Sequence, residues 1–213
     1  MMKIFRIISE LLHSNMYIIA EEEHCFIVDP CKSKEAISII GERKVDFIFL
    51  THEHYDHISG VNLFFDKYYA HVYAGELCAK RLDNPVLNGS HHFDAFFILY
   101  GQPCRKNITD YKCKADMIVK DRLILKWNGN TITFLYTPGH LDSCFSLMYK
   151  EFLFTGDSIM LNENGLPTGC DRRYSELYNK VTLPLLNRLS SQTVIMPGHG
   201  DCFTVSEFLK AME

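Results

Sequence analysis

Short apolar runs alternate with polar turns along this chain. "KIFRII" (3–8), "NMYIIA" (15–20) and "HCFIVDP" (24–30) read as short strands, the third ending at Pro30. "SKEAISIIGE" (33–42) spaces Ala36, Ile37, Ile39 and Ile40 as a helix does, with Ser33 as its N-cap. "VDFIFL" (45–50) is continuously apolar apart from Asp46, the pattern of a strand buried on both faces. A helix is expected within "HISGVNLFFDKY" (57–68), a strand at "AHVYA" (70–74) and a helix at "GELCAKRL" (75–82). Later strands are expected at "TITFLY" (131–136), "CFSLMY" (144–149), "EFLF" (151–154) and "TVIM" (193–196). "YSELYNKVTLPLLNRLS" (174–190) reads as a helix interrupted at Pro184, and "VSEFLKAM" (205–212) as a last helix. Hairpin-like and crossover connections are mixed, which predicts packed sheets with helices outside them.

Residues 83–116 break the pattern. The stretch is long, mixed and aromatic, and it is read as an insertion or lid loop near the active site. The rest is read as one domain, 1–213.

Composition narrows the function. A net charge of −4 gives no electrostatic footprint for nucleic acid or for an anionic membrane. No apolar run is long enough to span a bilayer, and the N-terminal stretch lacks the cleavage site of a signal peptide. The eight cysteines are scattered without a Cys-x-x-Cys pair, which reads as reduced thiols and a cytoplasmic chain. The expected partner is a small-molecule substrate; oligomeric state is not legible.

The chemistry lies where apolar runs stop. "THEHYDH" (51–57) directly follows "VDFIFL". "TPGH" (137–140) follows "TITFLY", "TGD" (155–157) follows "EFLF" and "PGHG" (197–200) follows "TVIM". Ligand sites in sheet proteins gather at the carboxyl ends of strands, where loops converge. These ends supply His52, His54, Asp56, His57, His140, Asp157 and His199. A polar loop is the bland alternative, but His-x-His-x-Asp-His arises by chance in a chain of this composition only on the order of once in a thousand. Two metal ions need about seven protein ligands plus bridging solvent, and imidazole with carboxylate suits Zn, Fe or Mn, with Zn favoured on base rates.

In this order the four motifs resemble the metallo-β-lactamase superfamily, and their spacing is most similar to its short glyoxalase II-like hydrolases (hydroxyacylglutathione hydrolase-like). The resemblance implies an α/β fold, a four-layer αββα sandwich with a dinuclear site. It implies His52, His54 and His140 on the first metal, Asp56, His57 and His199 on the second, and Asp157 bridging both. Asp157 and His57 separate the chain from the β-lactamases proper, which carry Cys at the first position and lack the second histidine. Antibiotic hydrolysis is therefore not expected.

The chain departs from the family pattern in three places. "TPGHLDSC" replaces the common "TPGHTPGS", which sets Asp142 beside His140. The C-terminal helical domain of longer glyoxalase II enzymes has no counterpart after His199. In "PTGCDRR" (167–173) Gly169 stands where Arg is common, so Arg172 or Arg173 would contact a substrate carboxylate, unless the segment is a solvated basic turn.

The expected reaction is hydrolysis of an ester or thioester carbonyl by a hydroxide generated at the metals, with Asp56 and Asp157 as catalytic carboxylates. Tyr55 is a candidate substrate contact; the alternative is that it and Glu53, interleaved with the ligands, point away. Three other functions compete: persulfide oxidation at a single iron, phosphodiester cleavage and a non-catalytic metal-binding module.

Overall fold

Six strands, in the order β1-β2-β3-β4-β5-β6, form the first sheet: β1 (Met2–Ile8), β2 (Asn15–Glu21), β3 (His24–Val28), β4 (Lys44–Leu50), β5 (His71–Gly75) and β6 (Met117–Val119). The computed structural model describes residues 1–99 and 108–213, which group into two units, Met1–Ile118 and Val119–Glu213. In the first unit β1, β2 and β3 pair antiparallel, whereas β3, β4 and β5 are parallel. Parallel neighbours need crossovers. Here they are α1 (Lys34–Ile40) between β3 and β4, then α2 (Tyr55–Ile58) and α3 (Val61–Tyr68) between β4 and β5.

The local signals explain these elements. Ser33 Oγ accepts from the Ala36 N–H at 3.1 Å, and Gly41 at φ +57° ends α1. β4 is central and buried from Phe47 to Leu50. Ile48 and Leu50 join the core that holds Ile18, Ile27, Ile40 and Phe64, while Phe47 stacks on Phe26 with centroids 4.7 Å apart.

The stretch expected as a loop is partly helical. After α4 (Glu76–Arg81), a 3₁₀ turn at Ser90–His92 leads into α5 (Phe93–Leu99), which sends Phe93 and Phe97 into the core one turn apart. Residues 100–107, part of the expected lid, lie outside the described residues. The chain from 108 to 116 is tied back by the Asn88 side chain, which donates to the Tyr111 carbonyl at 2.8 Å, and by Ser90 Oγ, which accepts from the Tyr111 N–H at 2.9 Å.

The second unit carries a six-stranded sheet of order β14-β13-β10-β9-β8-β7. β7 (Arg122–Trp127), β8 (Asn130–Tyr136), β9 (Phe145–Tyr149) and β10 (Phe152–Gly156) form an antiparallel meander. A small hairpin, β11 (Met160–Leu161) and β12 (Pro167–Thr168), precedes a helical connection to β13 (Val194–Pro197), which lies parallel to β10. β14 (Phe203–Thr204) pairs with β13 and leads into α8 (Val205–Ala211), whose start is closed by a Thr204–Glu207 capping box.

Pro184 does not interrupt the helical connection as expected. α6 (Ser175–Leu177) passes into a π-helical turn, Tyr178–Thr182, and then α7 (Leu183–Leu186), with Pro184 in the first turn of α7. A first-turn position has little use for the N–H that proline lacks. Among the described residues no helix is long and apolar enough to cross a membrane, and no disulfide is formed.

Candidate metal centre

Each of the four motifs begins at or just past the end of a strand: Thr51 after β4, Thr137 after β8, Asp157 after β10 and Gly198 after β13. The first of those ends, Thr51 after β4, lies in the first unit and leads through an extended approach into the α2 turn. His52 and His57 are fully buried and their ring centroids lie 4.4 Å apart; His54 is half-buried, 4.8 Å from His52. Asp56 Oδ2 lies 3.4 Å from His57 Nε2. The backbone of this turn is held from Ser14, whose hydroxyl donates to the Asp56 carbonyl at 3.0 Å.

A residue that the motifs do not contain organises this half. Asp29, directly after β3, is buried and stands at φ +50°. Its carboxylate accepts from the Thr51 N–H at 2.8 Å and from Thr51 Oγ1 at 2.7 Å, and it faces His57 Nδ1 at 3.0 Å. Burial pushes the Asp29 carboxyl up, and the His57 and Thr51 hydrogen bonds oppose that push. Thr51 Oγ1 in turn meets His52 Nδ1 at 3.0 Å. With the Nδ1 atoms so engaged, Nε2 is the nitrogen by which each histidine could meet a metal, the usual arrangement behind a metal-binding imidazole. Asp29, His52 and His57 are close enough to hold an ion themselves. Asp29 already serves three donors, the arrangement of an orienting carboxylate. The signal in the sequence was an aspartate between a buried strand and a proline, which reads as an ordinary turn.

The second unit carries the remaining motif residues, His140, Asp157 and His199. The 137–140 loop is seated on the π-helical turn: Thr182 Oγ1 donates to the Pro138 carbonyl at 2.6 Å, and a Cβ on Gly139 would meet the Tyr178 ring at 2.5 Å. Only glycine allows that approach. The Asp171 N–H donates to the Gly139 carbonyl at 2.9 Å, and the Gly198 N–H to the Gly156 carbonyl at 2.8 Å. The last bond pins the loop of His199 to that of Asp157. As a result Asp157 Oδ2 lies 3.5 Å from His199 Nε2 and 3.7 Å from His140 Nε2.

These spacings suit a cation. At 3.4 to 3.7 Å the three nitrogen–oxygen pairs are too long for good hydrogen bonds. Two donors each about 2.1 Å from a tetrahedral metal lie about 3.4 Å apart. The donor set in both halves is imidazole nitrogen and carboxylate oxygen, which fits Zn, Fe or Mn.

The remaining candidates occupy other surroundings. Tyr55 is buried, with Phe93 at 5.1 Å and Tyr111 at 5.3 Å between ring centroids. Arg173 is exposed and forms a two-point pair with Asp171, Nε to Oδ1 at 3.0 Å and Nη2 to Oδ2 at 2.8 Å. Arg172 is exposed in the same 3₁₀ turn.

Comparison with known proteins agrees with the motifs. The profile of the metallo-beta-lactamase superfamily matches residues 10–199. A probable metallo-hydrolase of Streptococcus pyogenes is 28% identical over 96% of this chain and 87% of its own length. A hydroxyacylglutathione hydrolase of Francisella tularensis subsp. novicida is 27% identical over 70% of this chain, which spans only 48% of that relative. Among solved structures, one titled BLEG-1 B3 metallo-beta-lactamase superposes with a TM-score of 0.74 at 26% identity, covering 96% of this chain and 95% of that one. Overall similarity thus includes a protein called a β-lactamase, whereas the distinction drawn in the sequence rests on Asp157 and His57. The mixed α/β architecture with two sheets is the one expected, and the chain belongs to the metallo-β-lactamase superfamily.

Proposed function

We propose that the chain is a cytoplasmic, metal-dependent hydrolase of a small-molecule ester or thioester, with no nucleic-acid or membrane partner. Two divalent cations, zinc before iron or manganese, would be held by His52, His54 and His140 on one side, by Asp56, His57 and His199 on the other, and by Asp157 on both. One observation carries this reading: a single Asp157 oxygen stands at 3.5 and 3.7 Å from the ligand nitrogens of His199 and His140, each on its own strand-end loop. The match to a hydroxyacylglutathione hydrolase supports a thioester as the substrate class.

When bound, such cations acidify a water, one zinc alone bringing its pKa to about 7, and they polarise a carbonyl. The chain's own residues do the rest. Asp157 presents one oxygen to the Nε2 atoms of both His140 and His199. Asp56 would accept a hydrogen bond from the attacking water, aim its lone pair at the carbonyl carbon and take up its proton. A thiolate can leave without that proton; an alkoxide leaving group would receive it.

A panel of thioesters, esters, lactones, phosphodiesters and β-lactams, tested on zinc-loaded protein with and without chelator, decides the class. The expected result is chelator-sensitive hydrolysis led by thioesters or esters. Preferred cleavage of a phosphodiester or β-lactam, or oxygen consumption with a persulfide, would replace this reading.

A further inference from the structure

Two residues interleaved with the ligands, Glu53 and Tyr55, are anchored to parts of the first unit that carry no ligand. The approach to α2 is extended, with His54 at φ −59° and ψ 140°. Successive side chains of an extended segment diverge, so His52 and His54 share a side and Glu53 takes another. The Glu53 side chain is 2% exposed, and its Oε1 accepts from Nη1 of Arg81, on α4, at 2.8 Å. Tyr55 opens α2 and packs on Phe93 and Tyr111. Tyr111 is itself fixed at three atoms: its N–H donates to Ser90, its carbonyl accepts from Asn88, and its hydroxyl accepts from the Asn62 N–H of α3 at 3.1 Å.

Helix α2 has four residues, too few to hold its own shape. It needs external anchors if it is to aim Asp56 and His57. A partly buried ion pair, for its part, is a weak source of stability compared with an apolar pair of the same volume. Its benefit is geometric: it allows one arrangement of Glu53 and thereby one path for the backbone on either side, where His52 and His54 sit.

We propose that Arg81 and Tyr111 are positioning residues for the metal centre, acting through Glu53 and Tyr55 on the backbone that carries His52, His54 and Asp56. The proposal rests on the metal-binding reading above. It assigns Tyr55 to the support of the ligands rather than to substrate.

Cobalt(II) titration of the full chain, stripped of metal beforehand, tests this through affinity and the visible d–d band, with the unfolding midpoint of the metal-free protein measured alongside. Arg81→Met and Tyr111→Leu are expected to weaken cobalt binding roughly 10–100-fold and to change the band. Tyr111→Phe, which keeps the ring against Tyr55, should bind within a few fold of wild type. Glu53→Gln combined with Arg81→Met removes both charges, so it guards against misfolding from a stranded carboxylate, and it should still bind weakly. Wild-type affinity and band in that double variant and in Tyr111→Leu, with only the midpoint lowered, would overturn the proposal and leave a purely structural role. A wild-type chain that binds no cobalt would instead overturn the metal-binding reading on which it depends.

Discussion

His57 Nδ1 stands 3.0 Å from Oδ2 of Asp29, and both side chains are buried. Asp29 lies on β3's end and His57 on α2, so this contact couples two elements that the sequence separates by 28 residues. The same carboxylate accepts from Thr51, which touches His52. One aspartate therefore fixes the rings of two candidate ligand histidines, His57 directly and His52 through Thr51.

Asp29→Asn isolates this role. Asparagine tolerates the φ of +50° at this position, so the backbone is spared. Its amide cannot accept from Thr51 and His57 with both terminal atoms. An amide nitrogen facing His57 would favour the proton on Nε2, where a metal must bind. The expected loss in metal affinity is roughly 10–100-fold, read by competition against a chromogenic chelator. Unchanged affinity would show that Asp29 serves the fold alone.

Gly169 predicts a second effect. It stands at φ +96°, and a Cβ there would lie 2.0 Å from the Asp157 backbone oxygen. The glycine where family members often carry arginine is thus a requirement of this chain's own backbone. Gly169→Ala is expected to destabilise the protein by about 2–4 kcal/mol, from overpacking and left-handed strain together. It should also reduce metal loading, because Asp157 must shift. Urea unfolding and elemental analysis on one preparation check both, and a variant with wild-type values in each would contradict the geometry.

The Asp171–Arg173 pair carries a pH signature. Hydrogen bonds from Arg173 lower the Asp171 carboxyl to about 2, below its ordinary 3.8. A depressed acid stabilises the folded state above its unfolded pKa, and the effect is lost as pH falls from about 4 towards 2. The pair is exposed, so its contribution to stability is small. Arg173→Met should return the Asp171 titration, followed by carboxyl NMR shifts, towards 3.8. A midpoint still near 2 would place the cause in the backbone hydrogen bond from residue 173.

Much of the candidate site was legible because His52, His140, Asp157 and His199 lie where apolar strands stop. A strand end is visible in sequence as the loss of a hydrophobic run, and a His or Asp just past each of four such ends is a specific signal. Asp29 was not legible, since a lone aspartate before Pro30 carries no spacing that separates a hydrogen-bond acceptor from a turn residue. β7 was passed over, although exposed Arg122, Ile124 and Lys126 alternate with more buried Leu123, Leu125 and Trp127. α5 was hidden for a different reason: aromatic residues crowd its short length, and only the burial of Phe93 and Phe97 one turn apart reveals a helical face. The π-helical turn ahead of Pro184 has no sequence signature of its own, yet it sets Tyr178 and Thr182 beneath the His140 loop.

Metal stoichiometry tests the central claim most directly. Wild-type protein, His140→Ala and His199→Ala would each be saturated with zinc, freed of excess and analysed for metal per chain, with anomalous diffraction locating what remains. The account predicts two metals in the wild type, and the loss of a different peak in each variant. One metal per chain under zinc excess, or loss of the same peak from both variants, would contradict it.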